Sequence, residues 1–66
     1  MTLKVGDIVK DNRPSWLGGE RVGVIISEST DRYVLMALNR AFKVLYRDGT
    51  IRNNVWDYDL KILKSS

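Results

Sequence analysis

The side chains of this chain best suited to catalysis are its carboxylates. There are eight Asp and Glu residues, and Asp7, Asp48 and Asp57 stand at expected turns or strand ends. Asp is favoured at such places because it accepts backbone hydrogen bonds, which is a commoner role than membership of a catalytic pair. The chain contains no His and no Cys, so neither a Ser–His or Cys–His nucleophile nor a common Cys/His zinc site can form. Gly18-Gly19-Glu20 lacks the spacing and the Lys of a phosphate-binding loop. We therefore expect a protein that is not an enzyme and needs no metal or cofactor.

Aromatic side chains are the first candidates for a binding role. Trp16 and Leu17 lie in a polar, Gly-rich stretch, and Trp56 and Tyr58 precede the last predicted strand. An indole in such a place either covers an edge of the core or contacts a partner, and both interpretations stay open. The candidate protein-binding residues are Trp16, Leu17, Trp56 and Tyr58.

Basic side chains suggest contact with nucleic acid as an alternative. The 11 Lys and Arg residues exceed the acids and give a net charge of +3. The candidates are Arg13, Arg40, Lys43, Arg47 and Arg52, of which the last three are expected to share one face of a hairpin. They would either contact phosphates or form a solvated face that protects exposed strands.

The elements that must position these residues are short strands. Alternating apolar residues and turn residues predict strands at 3–10 and 21–28, a hairpin at 41–53 and a last strand at 59–63, with a loop at 11–20. Gly6-Asp7 predicts a bend or a bulge near the start of the first strand. Residues 54–58 suit a single 3₁₀ turn. Residues 29–40 suit either a short helix over 31–38, capped by Ser29 or Thr30, or an extended segment.

Two strands allow more detailed predictions. In the second strand Val22, Val24 and Ile26 share one face, and the apolar Ile25 on the other indicates either burial on both sides or a strand near the centre of the barrel. Gly23 predicts a close approach by a neighbouring backbone.

In the hairpin, Asp48-Gly49 predicts a two-residue type I′ turn. That register sets Tyr46 towards Ile51, so Ile51 is expected on the face of Phe42, Val44 and Tyr46. Arg52 is then expected on the face of Lys43, Leu45 and Arg47.

Length and composition limit the setting. A chain of 66 residues is one domain with a thin stability margin, which favours self-association. No apolar run approaches the length that spans a bilayer, and residues 1–7 lack the apolar centre of a signal peptide. The absence of Cys is compatible with a reducing compartment. We expect a cytoplasmic protein that is not secreted and does not bind membranes.

The order of elements resembles the SH3-like barrel superfold, which includes SH3, Tudor and KOW-type domains. The resemblance is carried by Val5-Gly6-Asp7-Ile8-Val9, Gly23-Val24-Ile25, residues 42–49 (FKVLYRDG) and Trp56-Asp57-Tyr58-Asp59-Leu60. It covers nearly the whole chain and extends to small SH3-like proteins of bacteriophages. It implies an all-β, five-stranded barrel over residues 1–66, in the host cytoplasm if phage-encoded.

The resemblance also implies kinds of partner. SH3 domains bind proline-rich peptides in an aromatic groove, near which the resemblance would place Trp16, Trp56 and Tyr58. Tudor domains cage a methylated cation, for which Trp16, Tyr46, Trp56 and Asp57 supply the residue types. KOW-type domains bind RNA. We expect a protein-interaction module of a phage or mobile element, which binds a protein partner or a second copy, with nucleic-acid binding as the alternative.

Overall fold

The computed structural model describes residues 2–12 and 21–66. The elements are β1 (Ile8–Asp11), β2 (Arg21–Glu28), α1 (Arg32–Met36), β3 (Ala41–Tyr46), β4 (Ile51–Trp56), a 3₁₀ turn (Asp57–Asp59) and β5 (Leu60–Lys64). Neighbouring strands are antiparallel in one sheet of order β4-β3-β2-β1-β5. The all-β prediction is confirmed, β2 is the central strand, and the order is compatible with an SH3-like fold.

The core lies on one face of this sheet, here called the inner face. All five strands and the segment before β1 contribute to one buried cluster, whose members are Leu3, Val9, Ile25, Phe42, Val44, Tyr46, Val55 and Leu60. Val55 of the edge strand β4 and Leu60 of the edge strand β5 belong to the same cluster. Among the described residues no second sheet covers this cluster. The sheet therefore curls and covers its own inner face, which buries most of the apolar surface that stabilises the fold.

The first strand is shorter than predicted. Residues 3–10 were expected to be extended, but the chain turns at Val5-Gly6, where the N–H of Asp7 donates to the carbonyl of Lys4 (3.1 Å), and β1 begins at Ile8. The buried Asp7 carboxylate holds this turn by accepting the N–H groups of Lys4 (3.0 Å) and Ser66 (2.9 Å). The bend that Gly6-Asp7 predicted is present.

The hairpin forms, but its predicted register is wrong. Leu45 lies opposite Ile51, and the N–H of Tyr46 donates to the carbonyl of Thr50 (2.8 Å), so three residues form the loop. Within this loop only Gly49 takes a positive φ (+89°), and Asp48 Oδ1 accepts the N–H of Thr50 (2.9 Å). This is the pattern of a type I turn followed by a left-handed Gly, which adds one residue to the loop.

The changed register moves two side chains to opposite faces. Ile51 joins Leu45 on the side away from the core, and Arg52 lies opposite the buried Val44. A shift of one residue has this effect because successive side chains of a strand point to opposite faces. The predicted grouping of Arg52 with Lys43 and Arg47 is therefore wrong, and so is that of Ile51 with Phe42, Val44 and Tyr46.

Within 29–40 the helical alternative is confirmed over Arg32–Met36. The cap is Asp31, whose carboxylate accepts the N–H of Tyr33 (2.9 Å), and not Ser29 or Thr30 as predicted. Ser29 Oγ instead accepts the N–H of Asp31 (3.2 Å). In the described ranges no helix is long and apolar enough to cross a membrane.

Candidate functional site

The three carboxylates considered for catalysis each bind backbone. Asp7 holds the turn before β1, and Asp48 holds the hairpin loop. The N–H of Ser66 is the main cause that lowers the pKa of Asp7, against an opposing effect of burial, and the N–H of Thr50 does the same for Asp48. Oδ2 of Asp57 accepts the N–H of Arg40 (3.3 Å). Among the described residues, no three His, Cys, Asp or Glu side chains gather into a possible metal site.

Trp56 and Tyr58 are brought together, as the prediction of a shared site requires. Their rings stack with centroids 6.0 Å apart and planes 10° from parallel. Trp56 is half-buried at the end of β4, whereas Tyr58, on the 3₁₀ turn, is 64% exposed. Trp16 and Leu17 lie outside the described residues. Tyr46 is buried in the core, where its hydroxyl donates to Asp11 Oδ2 (2.8 Å), so it contributes no wall to an aromatic cage.

A groove of about 680 Å³ runs beside Tyr58. It is lined by Thr2, Leu3, Asn39, Arg40, Asp57, Tyr58, Leu60, Lys61 and Ile62. Oδ1 of Asp57 is buried there, and no donor among the described residues reaches it. The groove thus offers the exposed ring of Tyr58 to a partner, whereas the buried Oδ1 of Asp57 is not accessible to one.

The basic side chains proposed for nucleic acid are divided among different places. Arg40 forms a two-point ion pair with Glu28, with Nε–Oε2 at 2.8 Å and Nη2–Oε1 at 2.6 Å, and it lies over the ring of Phe42. The hydrogen bond from Arg40 is the main cause that lowers the pKa of Glu28. Lys43 and Arg47 share the side of the sheet away from the core, Arg52 lies on the inner side, and Arg13 is outside the described residues.

The side of the sheet away from the core, here called the outer face, carries a feature that the sequence analysis missed. Strand register places Ala41 and Trp56 on this side, but Ala41 is fully buried and Trp56 stacks on Tyr58 at the end of β4. The other 14 side chains on it are Ile8, Lys10, Val22, Val24, Ile26, Ser27, Lys43, Leu45, Arg47, Ile51, Asn53, Lys61, Leu63 and Lys64. Seven of these 14 are Ile, Leu or Val, although the opposite face already supplies the core. An apolar share this large is unusual for a surface that only meets water.

Five of these apolar residues form a line across the sheet, here called the apolar row. Ile8 pairs with Val24, Val24 with Leu45, and Leu45 with Ile51, while Leu63 is the extra residue of a bulge beside Ile8. Ile8 is 39% exposed, Ile51 52% and Leu63 51%, and Val24 and Leu45 are half-buried between them. The row therefore crosses every strand and presents a continuous apolar strip.

A hollow of about 390 Å³ lies along the middle of the apolar row. Its lining includes Ile8, Val24 and Leu45 from the row and Val22 beside it. Gly23 is also part of the lining. A Cβ there would lie 2.7 Å from the carbonyl oxygen of Leu45, so β2 and β3 approach closely at this point, as predicted.

The charges of the outer face all have one sign. Its charged members are Lys10, Lys43, Arg47, Lys61 and Lys64, and none of its 14 described residues is an Asp or a Glu. Asp48 lies at the hairpin tip beside this face. Its Oδ2 is 3.8 Å from Arg21 Nη1, and its Oδ1 accepts the N–H of Thr50. The outer face therefore combines an apolar strip with a positive field.

A second group of exposed apolar side chains lies on and just after α1. Only Val34 of this helix is buried, and Tyr33, Leu35, Met36 and Leu38 project into solvent. They come from one short stretch of chain, whereas the apolar row draws on five strands held in register. The row is therefore the better-defined surface for recognition.

One signal in the sequence could have revealed the outer face. Residues 22–26 are apolar on both faces of β2, and the buried face holds Gly23 and Ile25, so Val22, Val24 and Ile26 are surplus to the core. The other members of the row depend on pairing between strands, which an amino-acid sequence does not display. A comparison with family models, with curated proteins and with solved structures finds no match to this chain.

Proposed function

We propose that this chain is a non-enzymatic, SH3-like protein-interaction module that binds its partner through the outer face. The observation that carries the proposal is the apolar row, a strip of aliphatic side chains across all five strands on the side opposite the core. Removing aliphatic side chains from water is favourable in free energy, whereas their contact with phosphates adds little binding energy. A protein surface is therefore the partner best suited to bury the apolar row.

Three further observations support this proposal. The five antiparallel strands in one sheet are compatible with the resemblance to SH3-like domains. Asp7, Asp48 and Asp57, the carboxylates considered for catalysis, each accept a backbone N–H group. The Trp56–Tyr58 stack and the apolar side chains of α1 add exposed surface of the same kind. The resemblance to small phage proteins suggests an accessory role in a phage or mobile element, within the host cytoplasm.

Photo-crosslinking in cells that express the protein tests the proposal. A photoreactive amino acid replaces Ile51 on the outer face and, as a control, the exposed Arg32 on α1. We expect one discrete protein adduct from position 51, absent from position 32 and abolished by Ile8→Lys on the same face. Nucleic-acid adducts from position 51 would support the alternative function, and no adduct would overturn the role of the outer face.

A further inference from the structure

We propose that the partner presents an acidic amphipathic α-helix, which lies across the strands along the apolar row. This inference rests on the proposed function and specifies the chemistry of the partner at the same face. It follows from the length of the row, from the charges beside it and from the absence of carboxylates among the described residues of the outer face.

The length of the row suits a short helix. Four strand spacings of about 4.8 Å give a path of about 19 Å along the curled sheet. An α-helix of about 13 residues has that length, and because it is straight it would contact chiefly the three middle strands, at Ile8, Val24 and Leu45. The row is one residue wide on each strand, and the next row along the strands lies about 7 Å away. A helix with side chains is about 10 Å across, so its apolar stripe would rest on the row while its flanks reach the neighbouring rows.

One of those neighbouring rows is rich in cations, and the other contains a single Lys. On one side Lys61 pairs with Lys10, Lys10 pairs with Val22, and Arg47 donates its N–H to the carbonyl of Val22 (3.2 Å). On the other side Lys43 pairs with Ser27. Acidic side chains beside the apolar stripe of a helix would meet cations on both flanks, and such complementarity selects partners and speeds association.

The same charges disfavour other occupants. A second copy placed face to face would set five cations against five, and like charges across an interface oppose association. Single-stranded nucleic acid is bound on surfaces with aromatic rings on which bases stack, and the described residues of the apolar row and of the rows beside it include no aromatic. An anionic lipid surface shares the charge preference but does not need a narrow strip bounded by cations.

Two synthetic peptides of about 13 residues test the inference. Both carry Leu along one helical face, and the flanking positions are Glu in one peptide and Lys in the other. Binding to the full chain is measured by fluorescence anisotropy at low and high salt, and the binding site is mapped by amide chemical shifts. We expect the Glu peptide to bind about tenfold tighter than the Lys peptide at low salt. We also expect the shifts to centre on Ile8, Val24 and Leu45.

Matched variants separate charge from apolar contact. The double variant Arg47→Glu/Lys61→Glu should remove the preference for the Glu peptide, whereas Arg32→Glu on α1 should leave it unchanged. Ile51→Lys should weaken binding of the Glu peptide although it adds a positive charge. Circular dichroism and thermal melting of each variant establish that it is folded.

Several outcomes would overturn the inference. These are equal affinity for the two peptides, no binding of either, or shifts centred on Trp56 and Tyr58. Sedimentation showing a dimer that Ile51→Lys dissociates would assign the face to a second copy. Tighter binding to anionic phospholipid vesicles or to an oligonucleotide than to the Glu peptide would assign it to those classes. The photo-crosslinking result separates this inference from the proposed function. If the peptides do not bind as expected but position 51 still gives a discrete protein adduct, the helical partner is wrong and the proposed function stands.

Discussion

Truncation of two hairpin residues on opposite faces tests the register on which the outer face depends. Val44 is 0% exposed on the inner face, and Ile51 is 52% exposed on the outer face. Val44→Ala removes two buried carbons worth about 0.8 kcal/mol each, and the cavity left behind raises the cost to about 2–3 kcal/mol. Ile51→Ala removes three carbons that are only about half buried and leaves no closed cavity, so it costs about 1.2 kcal/mol. The smaller truncation is therefore expected to cost more.

Thermal unfolding followed by circular dichroism measures both costs. In a domain of this size 1 kcal/mol changes Tm by roughly 4–8 °C. We expect Val44→Ala to lower Tm by about 10–20 °C and Ile51→Ala by about 5–10 °C. The predicted type I′ register would bury Ile51 in the core, where truncation of Ile to Ala costs about 2–5 kcal/mol. A loss for Ile51→Ala that equals or exceeds that for Val44→Ala would refute both the register and the apolar row.

Three further substitutions probe the supports of the sheet. Gly23→Ala should lower the free energy of unfolding by about 1–3 kcal/mol, measured by urea denaturation, because its Cβ would lie 2.7 Å from the carbonyl oxygen of Leu45. Gly49→Ala should cost about 1–2 kcal/mol in the same assay, for a different reason: φ is +89° there, and an added Cβ meets nothing within 4 Å. Asp7→Asn should lower Tm near neutral pH, because the carboxylate accepts the N–H of Ser66 and its pKa is lowered in the folded state. A group with a lowered pKa stabilises the fold above its unfolded pKa, here 3.8, and this contribution is lost as the pH falls through the folded value. The difference in Tm between wild type and Asp7→Asn should therefore shrink as the pH falls below about 4.

Each of these predictions has a contrary result. Wild-type stability of Gly23→Ala would show that β2 and β3 can separate without cost. A stabilised Gly49→Ala would indicate a negative φ in the loop. A difference between wild type and Asp7→Asn that stays constant from about pH 7 to about pH 3 would show that Asp7 does not titrate with folding.

The sequence predicted local structure better than the relation between strands. Asp48-Gly49 marked the hairpin correctly, since few other pairs suit a tight turn. It did not determine the loop length, because the hydrogen bond from the N–H of Thr50 to Asp48 favours a loop with a single left-handed residue. That one residue moved Ile51 to the outer face and Arg52 to the inner side. The apolar row was therefore hidden by an error of one position.

Secondary structure that depends on residues close together in the sequence was predicted well. β2 has the predicted bounds and α1 lies within the predicted segment, whereas the 3₁₀ turn at Asp57–Asp59 extends one residue beyond the predicted 54–58. The cap of α1 was misplaced because Ser29, Thr30 and Asp31 all suit that position, and the choice depends on hydrogen bonds among them. Trp56 was expected either in the core or on the surface, and it is half-buried with its ring stacked on that of Tyr58.

The two edge strands determine how a partner can approach. β4 contains a bulge at which Asn54 takes a positive φ (55°), and β5 carries Lys61 and Lys64. A bulge and lysines both hinder the addition of another strand to a sheet edge. A partner on the outer face would then be recognised by side chains alone, without a shared ladder of backbone hydrogen bonds. Such recognition depends on the spacing of apolar and acidic residues and tolerates exchange among similar ones, so the partner's sequence can diverge while the pair continues to bind.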